Sequence, residues 1–247
     1  MYIRKMKKKI SIAVTILLIT QIILPILSSF VDNKISSKSS ASDFELEINT
    51  VDELWAFAED VNNGNSYEGK KVIIFGDFDL GCDESKPWIP IGNSESTAFQ
   101  GEFWGNGSTI SGIYGESGIF GYIGEKGLVK MLTVFESTGS TIEATSAPIG
   151  GIAAYNKGTI ENCVCRAFMT SNVCGGGIVG VNEGTINSCK NTAYIQGTGI
   201  LGGIAGINGG ESGVTGRIYN CEGGLVNGGT TSGRNSRNKL WYDKKLL

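Results

Sequence analysis

Apolar and polar positions between Gly150 and Cys221 recur with one fixed step. Gly150-Gly151-Ile152-Ala153-Ala154-Tyr155-Asn156-Lys157-Gly158-Thr159-Ile160-Glu161-Asn162-Cys163 returns 26 residues later as Gly176-Gly177-Ile178-Val179-Gly180-Val181-Asn182-Glu183-Gly184-Thr185-Ile186-Asn187-Ser188-Cys189. A third copy starts after the same step at Gly202-Gly203-Ile204-Ala205-Gly206-Ile207-Asn208, and reaches Arg217-Ile218-Tyr219-Asn220-Cys221 after six extra residues. A looser copy precedes them at Gly118-Ile119-Phe120-Gly121-Tyr122 and Gly127-Leu128-Val129-Lys130-Met131-Leu132. No apolar spacing of the i, i+3, i+4, i+7 kind runs through these units, so the short β-branched segments read as strands. A repeat of this length cannot bury its apolar side alone and must stack on its neighbours. Two or three strands per unit, with connections too short for crossover helices, close on themselves by winding into a parallel coil. Hairpins packed as a sandwich would give no reason for in-register identity. The predicted fold class is all-β, a short parallel β-helix (solenoid) of about four to five coils.

The hydrophobic period changes to a helical one near the start. Thr50-Val51-Asp52-Glu53 has the form of a capping box, in which the Thr hydroxyl and the Glu carboxylate serve each other's backbone donors. Val51, Leu54, Trp55, Ala58 and Val61 then share one face, and Asn63-Gly64 stops the helix. An N-terminal capping α-helix of this kind covers the open first coil and its unpaired strand edge. Its polar face carries Asp52, Glu53, Glu59 and Asp60, which disfavours an anionic membrane as its partner. Lys71 to Phe75 reads as a strand entering the coil.

Composition adds compartment and charge. Arg4, Lys5, Lys7, Lys8 and Lys9 precede an uncharged run over residues 10–31, the pattern of an export signal. The run is also long enough to remain as an uncleaved membrane anchor. Pro25 and Ser28-Ser29 favour cleavage, and Lys34 to Ser42 forms a Ser-rich linker. Residues 1–42 hold seven of the 21 basic and one of the 24 acidic residues, so the rest carries 14 against 23. An acidic body argues against nucleic acid as a partner, because phosphate contacts need clustered Lys and Arg. The expected organisation is 1–42 for export signal and linker, 43–115 for capping helix and entry strands, 116–226 for the repeats, and 227–247 for a basic, poorly ordered tail.

Candidate chemistry is sparse. The chain contains no histidine, which removes H-E-x-x-H zinc sites, Ser-His-Asp triads and Cys-His dyads. Gly105-Asn106-Gly107 and Gly175-Gly176-Gly177 lack the partners of a phosphate-binding loop. Asp77, Asp79 and Asp83 place three carboxylates in seven residues, a weak calcium or catalytic candidate without the glycine and distal Glu of an EF-hand loop. Turn capping is the simpler reading. Of the six cysteines, Cys163, Cys189 and Cys221 share one repeat position, whereas Cys82, Cys165 and Cys174 do not. That position predicts an inward, reduced stack in place of a disulfide framework. Asn156, Asn182 and Asn208 also share a position; the expectation is a ladder at a coil corner, in left-handed or bridge conformation, bonding from coil to coil.

Trp88-Ile89-Pro90-Ile91-Gly92, the segment Phe99-Gln100-Gly101-Glu102-Phe103-Trp104-Gly105-Asn106-Gly107-Ser108-Thr109-Ile110-Ser111-Gly112-Ile113 and the glycine-led repeats together resemble the GLUG-motif proteins of bacterial surfaces. The resemblance runs from about Ile48 to Gly224. It departs at Trp104, where the family commonly has Asp, and at Ala154, which replaces a repeat glycine. That family includes large adhesins and non-catalytic segments of immunoglobulin A peptidases. The resemblance implies an extracellular, non-enzymatic solenoid for display or adhesion, secreted or on the cell surface, with a host or cell-surface glycan or protein as partner. Contact with a membrane is expected only through an uncleaved N-terminal segment, and no catalytic, cofactor-binding or metal residue is assigned. Two alternatives stay open: an accessory fragment of a larger surface peptidase, and a small carbohydrate-active β-helix.

Overall fold

Two residues at a time, the chain turns a corner, and it does so five times per repeat. In a computed structural model, which describes residues 45–136, 141–210 and 213–229, one full coil comprises Pro148–Gly150, Ala153–Asn156, Thr159–Glu161, Val164–Arg166 and Met169–Ser171. The next coil begins at Cys174–Gly176 and repeats the same sequence of short strands. The fold is therefore an all-β parallel β-helix with an N-terminal helix, as the repeat predicts. One detail differs: each coil has five strands where two or three were expected, because corners such as Asn162-Cys163 and Ala167-Phe168 carry none of the glycine that marks a turn in the sequence. The export segment and linker expected in 1–42, and the tail from residue 230, lie outside the described residues. The last described strand, Leu225–Gly228, runs through Asn227.

Stacking the coils builds five walls. The first wall pairs Pro148–Gly150, Cys174–Gly176 and Ile200–Gly202. Phe120–Ile123, Ala153–Asn156, Val179–Asn182 and Ala205–Asn208 form the second. The third is the longest, with seven strands from Glu45–Ile48 through Lys71–Ile74, Glu102–Trp104, Leu128–Lys130, Thr159–Glu161 and Thr185–Asn187 to Arg217–Tyr219. Phe78–Asp79 to Lys190–Asn191 make the fourth wall, and Tyr114–Gly115 to Leu225–Gly228 the fifth. All the named strand pairs are parallel, and equivalent repeat positions sit in register, as with Ile160 and Ile186.

Register places like over like in the core. On the third wall Val72, Phe103, Val129, Ile160 and Ile186 form one inward column, fully buried, with the partly buried Ile218 above them. Each such side chain stabilises the coil by roughly 1.5–3 kcal/mol of apolar burial. The paired glycines make this stacking possible at the tightest point. A Cβ on Gly176 would overlap the Val179 carbonyl oxygen, and one on Gly177 would overlap the Asn191 side chain across the interior. The first glycine lets the first wall fold directly against the second; its neighbour leaves space for the core residue of the fourth.

The corner after the third wall uses a left-handed residue in successive coils: Met131, Asn162, Ser188 and Asn220, with φ of 54°, 51°, 53° and 55°. Asn tolerates this region better than other non-glycine residues. Met131, exposed at its corner, does so without that advantage.

The helix Val51–Asn62 closes the N-terminal end. Both halves of the capping box are present: Glu53 N donates to Thr50 Oγ1 at 3.2 Å, and Thr50 N to Glu53 Oε2 at 3.1 Å. Leu54, Phe57, Ala58 and Val61 are buried, while Val51 and Trp55 pack at the margin. Phe57, which the sequence reading omitted, is central. Its ring lies 5.9 Å from both Phe99 and Phe103 and 4.9 Å from Tyr67, seated on the aromatic floor of the first coils. Replacing Phe57 by Ala is expected to cost about 3–5 kcal/mol in urea unfolding, against less than about 0.5 kcal/mol for Glu59→Ala on the exposed face. Similar losses in the two variants would mean that the helix does not cap the coil.

Candidate functional site

The three carboxylates singled out in sequence each serve a backbone amide, Asp79 and Asp83 within their own turns and Asp77 across to the next coil. Asp77 Oδ1 accepts from Thr109 N at 2.7 Å, and Asp79 Oδ1 accepts from Gly81 N at 3.1 Å. Asp83 Oδ1 accepts from Ser85 N at 2.8 Å, Ser85 Oγ at 2.6 Å and Lys86 N at 3.0 Å. The Ser85 hydroxyl and these amides hold the Asp83 carboxyl below its usual range. Beside it Asp83, Glu84 and Ser85 line a shallow, open depression. Among the described residues, no three His, Cys, Asp or Glu side chains converge on a point that could hold a metal ion. The residue spacing had suggested a cluster; the strand Phe78–Asp79 and the turns around it send the three groups to separate backbone donors.

The asparagine ladder exists, with a different backbone. Asn156 Nδ2 donates to Asn182 Oδ1 at 2.8 Å, and Asn182 Nδ2 donates to Asn208 Oδ1 at 2.7 Å. Asn208 Nδ2 continues to Gly216 O at 2.9 Å. These residues end the strands of the second wall and none has positive φ. The left-handed conformation expected of them belongs instead to the corner Asn162, Ser188 and Asn220. Asn156 and Asn182 are buried, so their amides need partners, and the coil repeat supplies them at the right height. The first rung is incomplete: Asn156 Oδ1 finds no donor, because its in-register neighbour in the preceding coil is Ile123.

The cysteine column is also inward. Cys163 N donates to Cys189 Sγ, and Cys189 N to Cys221 Sγ, both at 3.4 Å. All six cysteines are free thiols. The hydrogen bond with Cys163 raises the Cys189 thiol above its ordinary value, and that with Cys189 raises Cys221. Burial alone pushes Cys165 up to about 12 and Cys174 to about 11. The thiols of Cys165 and Cys174, shut away from solvent, are poor nucleophiles. At the Cys165 position of the next coil stands Asn191, a buried polar residue that the sequence reading missed. It satisfies itself by donating to Gly203 O at 3.0 Å and accepting from Ala193 N at 2.9 Å.

The outer surface carries aromatic pairs aligned along the stack. Trp104 lies between two ammonium groups, Lys71 Nζ at 3.9 Å and Lys130 Nζ at 3.6 Å from the ring centroid. Its Nε1 donates to Glu102 at 3.1 Å, and Lys71 pairs with Glu45 at 3.5 Å. Tyr122 and Tyr155 stack at 4.4 Å on the second wall, where burial pushes the Tyr155 hydroxyl up to about 12. Phe168 and Tyr194 stack at 5.8 Å beside the fifth wall. The last pair has a direct signal in the sequence, since 168 and 194 differ by one repeat step, and Tyr122 and Tyr155 share a position only through the looser first copy.

No protein-family model matches the chain, and no solved structure matches it. A curated relative from Evansella cellulosilytica, named "Putative Gly-rich membrane protein", is 35% identical over 118 residues, covering 42% of this chain and 13% of the relative. The matched stretch thus spans only about an eighth of that relative's own length. Among the described residues, no helix is long and apolar enough to cross a membrane.

The asparagine column can be tested against its own neighbour. Asn182→Ala removes the middle rung, taking one hydrogen bond from buried Asn156 and one from half-buried Asn208, for an expected loss of about 1–3 kcal/mol. Glu183→Ala, one residue on, should change stability by less than about 0.5 kcal/mol. Equal unfolding midpoints for the two variants would contradict the ladder.

Proposed function

We propose that this chain is a non-enzymatic scaffold that presents a variable outer surface at the cell envelope and binds a glycan or protein there. The contrast between inward and outward register positions carries this reading. Inward, Ile152, Ile178 and Ile204 repeat, as do Ile160, Ile186 and Ile218, the three asparagines and the three stacked cysteines. Outward, Glu161 is followed by Asn187 and Tyr219, Thr159 by Thr185 and Arg217, and Tyr155 by Val181 and Ile207. A frame held constant while its outer face changes suits recognition, and a fold of this kind leaves function to the surface side chains. The lack of histidine removes the commonest general base near neutral pH, and the aspartates that could replace it are engaged with backbone amides. The resemblance to GLUG-motif proteins and the membrane designation of the longer relative support an envelope location. The relative's length also favours the accessory-segment reading, in which this solenoid is one module among several.

Fractionation of the producing cell and glycan-array binding by the purified chain test the proposal together. The chain is expected in the envelope or extracellular fraction, with array binding that falls at least severalfold on substitution of outward aromatics such as Trp104 or Tyr194 and survives Asp79→Asn. Turnover of pectic, alginate-like or glycosaminoglycan polymers that disappears in Asp77→Asn or Asp79→Asn would overturn it in favour of a carbohydrate-active β-helix.

A further inference from the structure

The three stacked cysteines are equivalent in sequence and unequal in space. Cys163 is 0% exposed and Cys189, between the other two, 1%, whereas Cys221 on the last rung is only partly buried. The columns beside it loosen at the same height. Met169 and Ile195 are fully buried and Val226, next in register, is 38% exposed; Ile160 and Ile186 are fully buried and Ile218 only partly.

Cys221 is nevertheless held directly over Cys189. Ser188 N donates to Tyr219 O at 3.2 Å and Glu222 N to Cys189 O at 3.0 Å, so backbone pairing brackets the cysteine on both sides. The Lys190–Glu222 ion pair, at 2.7 Å, ties the same two rungs together on the outside. Cys221 Sγ already points back at the lower rung, where it accepts from Cys189 N. Neighbouring rungs of a parallel stack stand about 4.8 Å apart, within the Cα range that a disulfide spans. Closing the bond draws the two Cβ atoms together by roughly 1 Å. A terminal rung can absorb that shift; the close-packed Cys163–Cys189 step cannot.

We propose that Cys189 and Cys221 form an oxidation site, Cys221 being the entry thiol, where a small-molecule disulfide installs a bond that staples the last coil to the one before it, while Cys163 stays a thiol. The Cys221 thiolate, formed by proton loss to solvent, attacks one sulfur of the oxidant's disulfide, which releases the other half as a thiolate and leaves a mixed disulfide. Cys189 Sγ then loses its proton, attacks Cys221 Sγ and expels the second half of the oxidant. Two thiols of the protein become one disulfide, and one disulfide of the oxidant becomes two thiols. The new bond encloses the stretch between Asn208 and Arg217, where the third copy carries six residues more than the repeat step.

The test exposes the folded full chain to oxidised glutathione, then blocks free thiols, unfolds the protein and maps peptides without reduction. The expected product has lost two hydrogens, links Cys189 to Cys221, and leaves Cys163 and Cys165 open to alkylation only after unfolding. The link should form equally in Cys163→Ser and be absent in Cys221→Ser, and the oxidised chain should melt roughly 5–10 °C higher. A Cys163–Cys189 link, a glutathione adduct that persists on Cys221 without an internal bond, or six free thiols after prolonged exposure would each overturn the proposal.

Discussion

A parallel coil rests on the coil below it at a spacing of about 4.8 Å, and that single distance governs which residues can stand where. An inward side chain meets the residue at its own position one repeat away, so a column that repeats one residue needs a group that packs or bonds with a copy of itself. Isoleucine does so through shape, as at Ile160 and Ile186. Asparagine does so because its amide is both donor and acceptor, and it extends a chain of hydrogen bonds from Asn156 to Asn208. Cysteine does so as a small apolar group whose sulfur accepts from the neighbouring amide. Where the walls come closest no side chain fits, and Gly176 and Gly177 follow from the same constraint.

The constraint also explains the two ends. A column has to begin and stop, and the terminal rung loses half its partners. At the N-terminal end the helix supplies Leu54, Phe57 and Val61 as substitutes for a missing coil, over a floor of Phe99, Phe103 and Phe120 that is larger than the isoleucine core it gives way to. Asn156 shows the cost of a start without a substitute, since its carbonyl oxygen finds no donor above Ile123. At the other end Ile218, Cys221 and Val226 are the rungs with reduced burial, and the difference separates one cysteine from its two sequence equivalents.

Repetition made the inward columns legible from sequence. A 26-residue step at Ile, Asn and Cys states directly which residues lie above one another, and the capping box with its apolar face announces the helix. The number of walls was not legible, because a two-residue corner such as Ala167-Phe168 needs no glycine or proline once the neighbouring coils hold it. The left-handed corner was placed at the wrong asparagine for a related reason: Asn156 and Asn162 are both plausible turn residues, and only the wall register shows that Asn162 ends the third wall while Asn156 faces the core. Asp77, Asp79 and Asp83 looked alike by spacing and proved to serve separate backbone donors. The outward pair Tyr122 and Tyr155 is 33 residues apart, outside the 26-residue step, and shows in the sequence only through the looser copy at Gly118 to Tyr122.

The central claim is that residues one repeat apart are neighbours in parallel register. Nuclear Overhauser contacts between backbone protons, measured on isotopically labelled protein, report this directly. The account predicts amide-to-Hα contacts linking the neighbourhoods of Thr159 to Thr185, Ala153 to Val179 and Pro148 to Cys174, together with side-chain amide contacts along Asn156, Asn182 and Asn208. Strong Hα-to-Hα contacts between adjacent strands of one repeat, such as Ala153–Asn156 with Thr159–Glu161, would indicate antiparallel hairpins and contradict it.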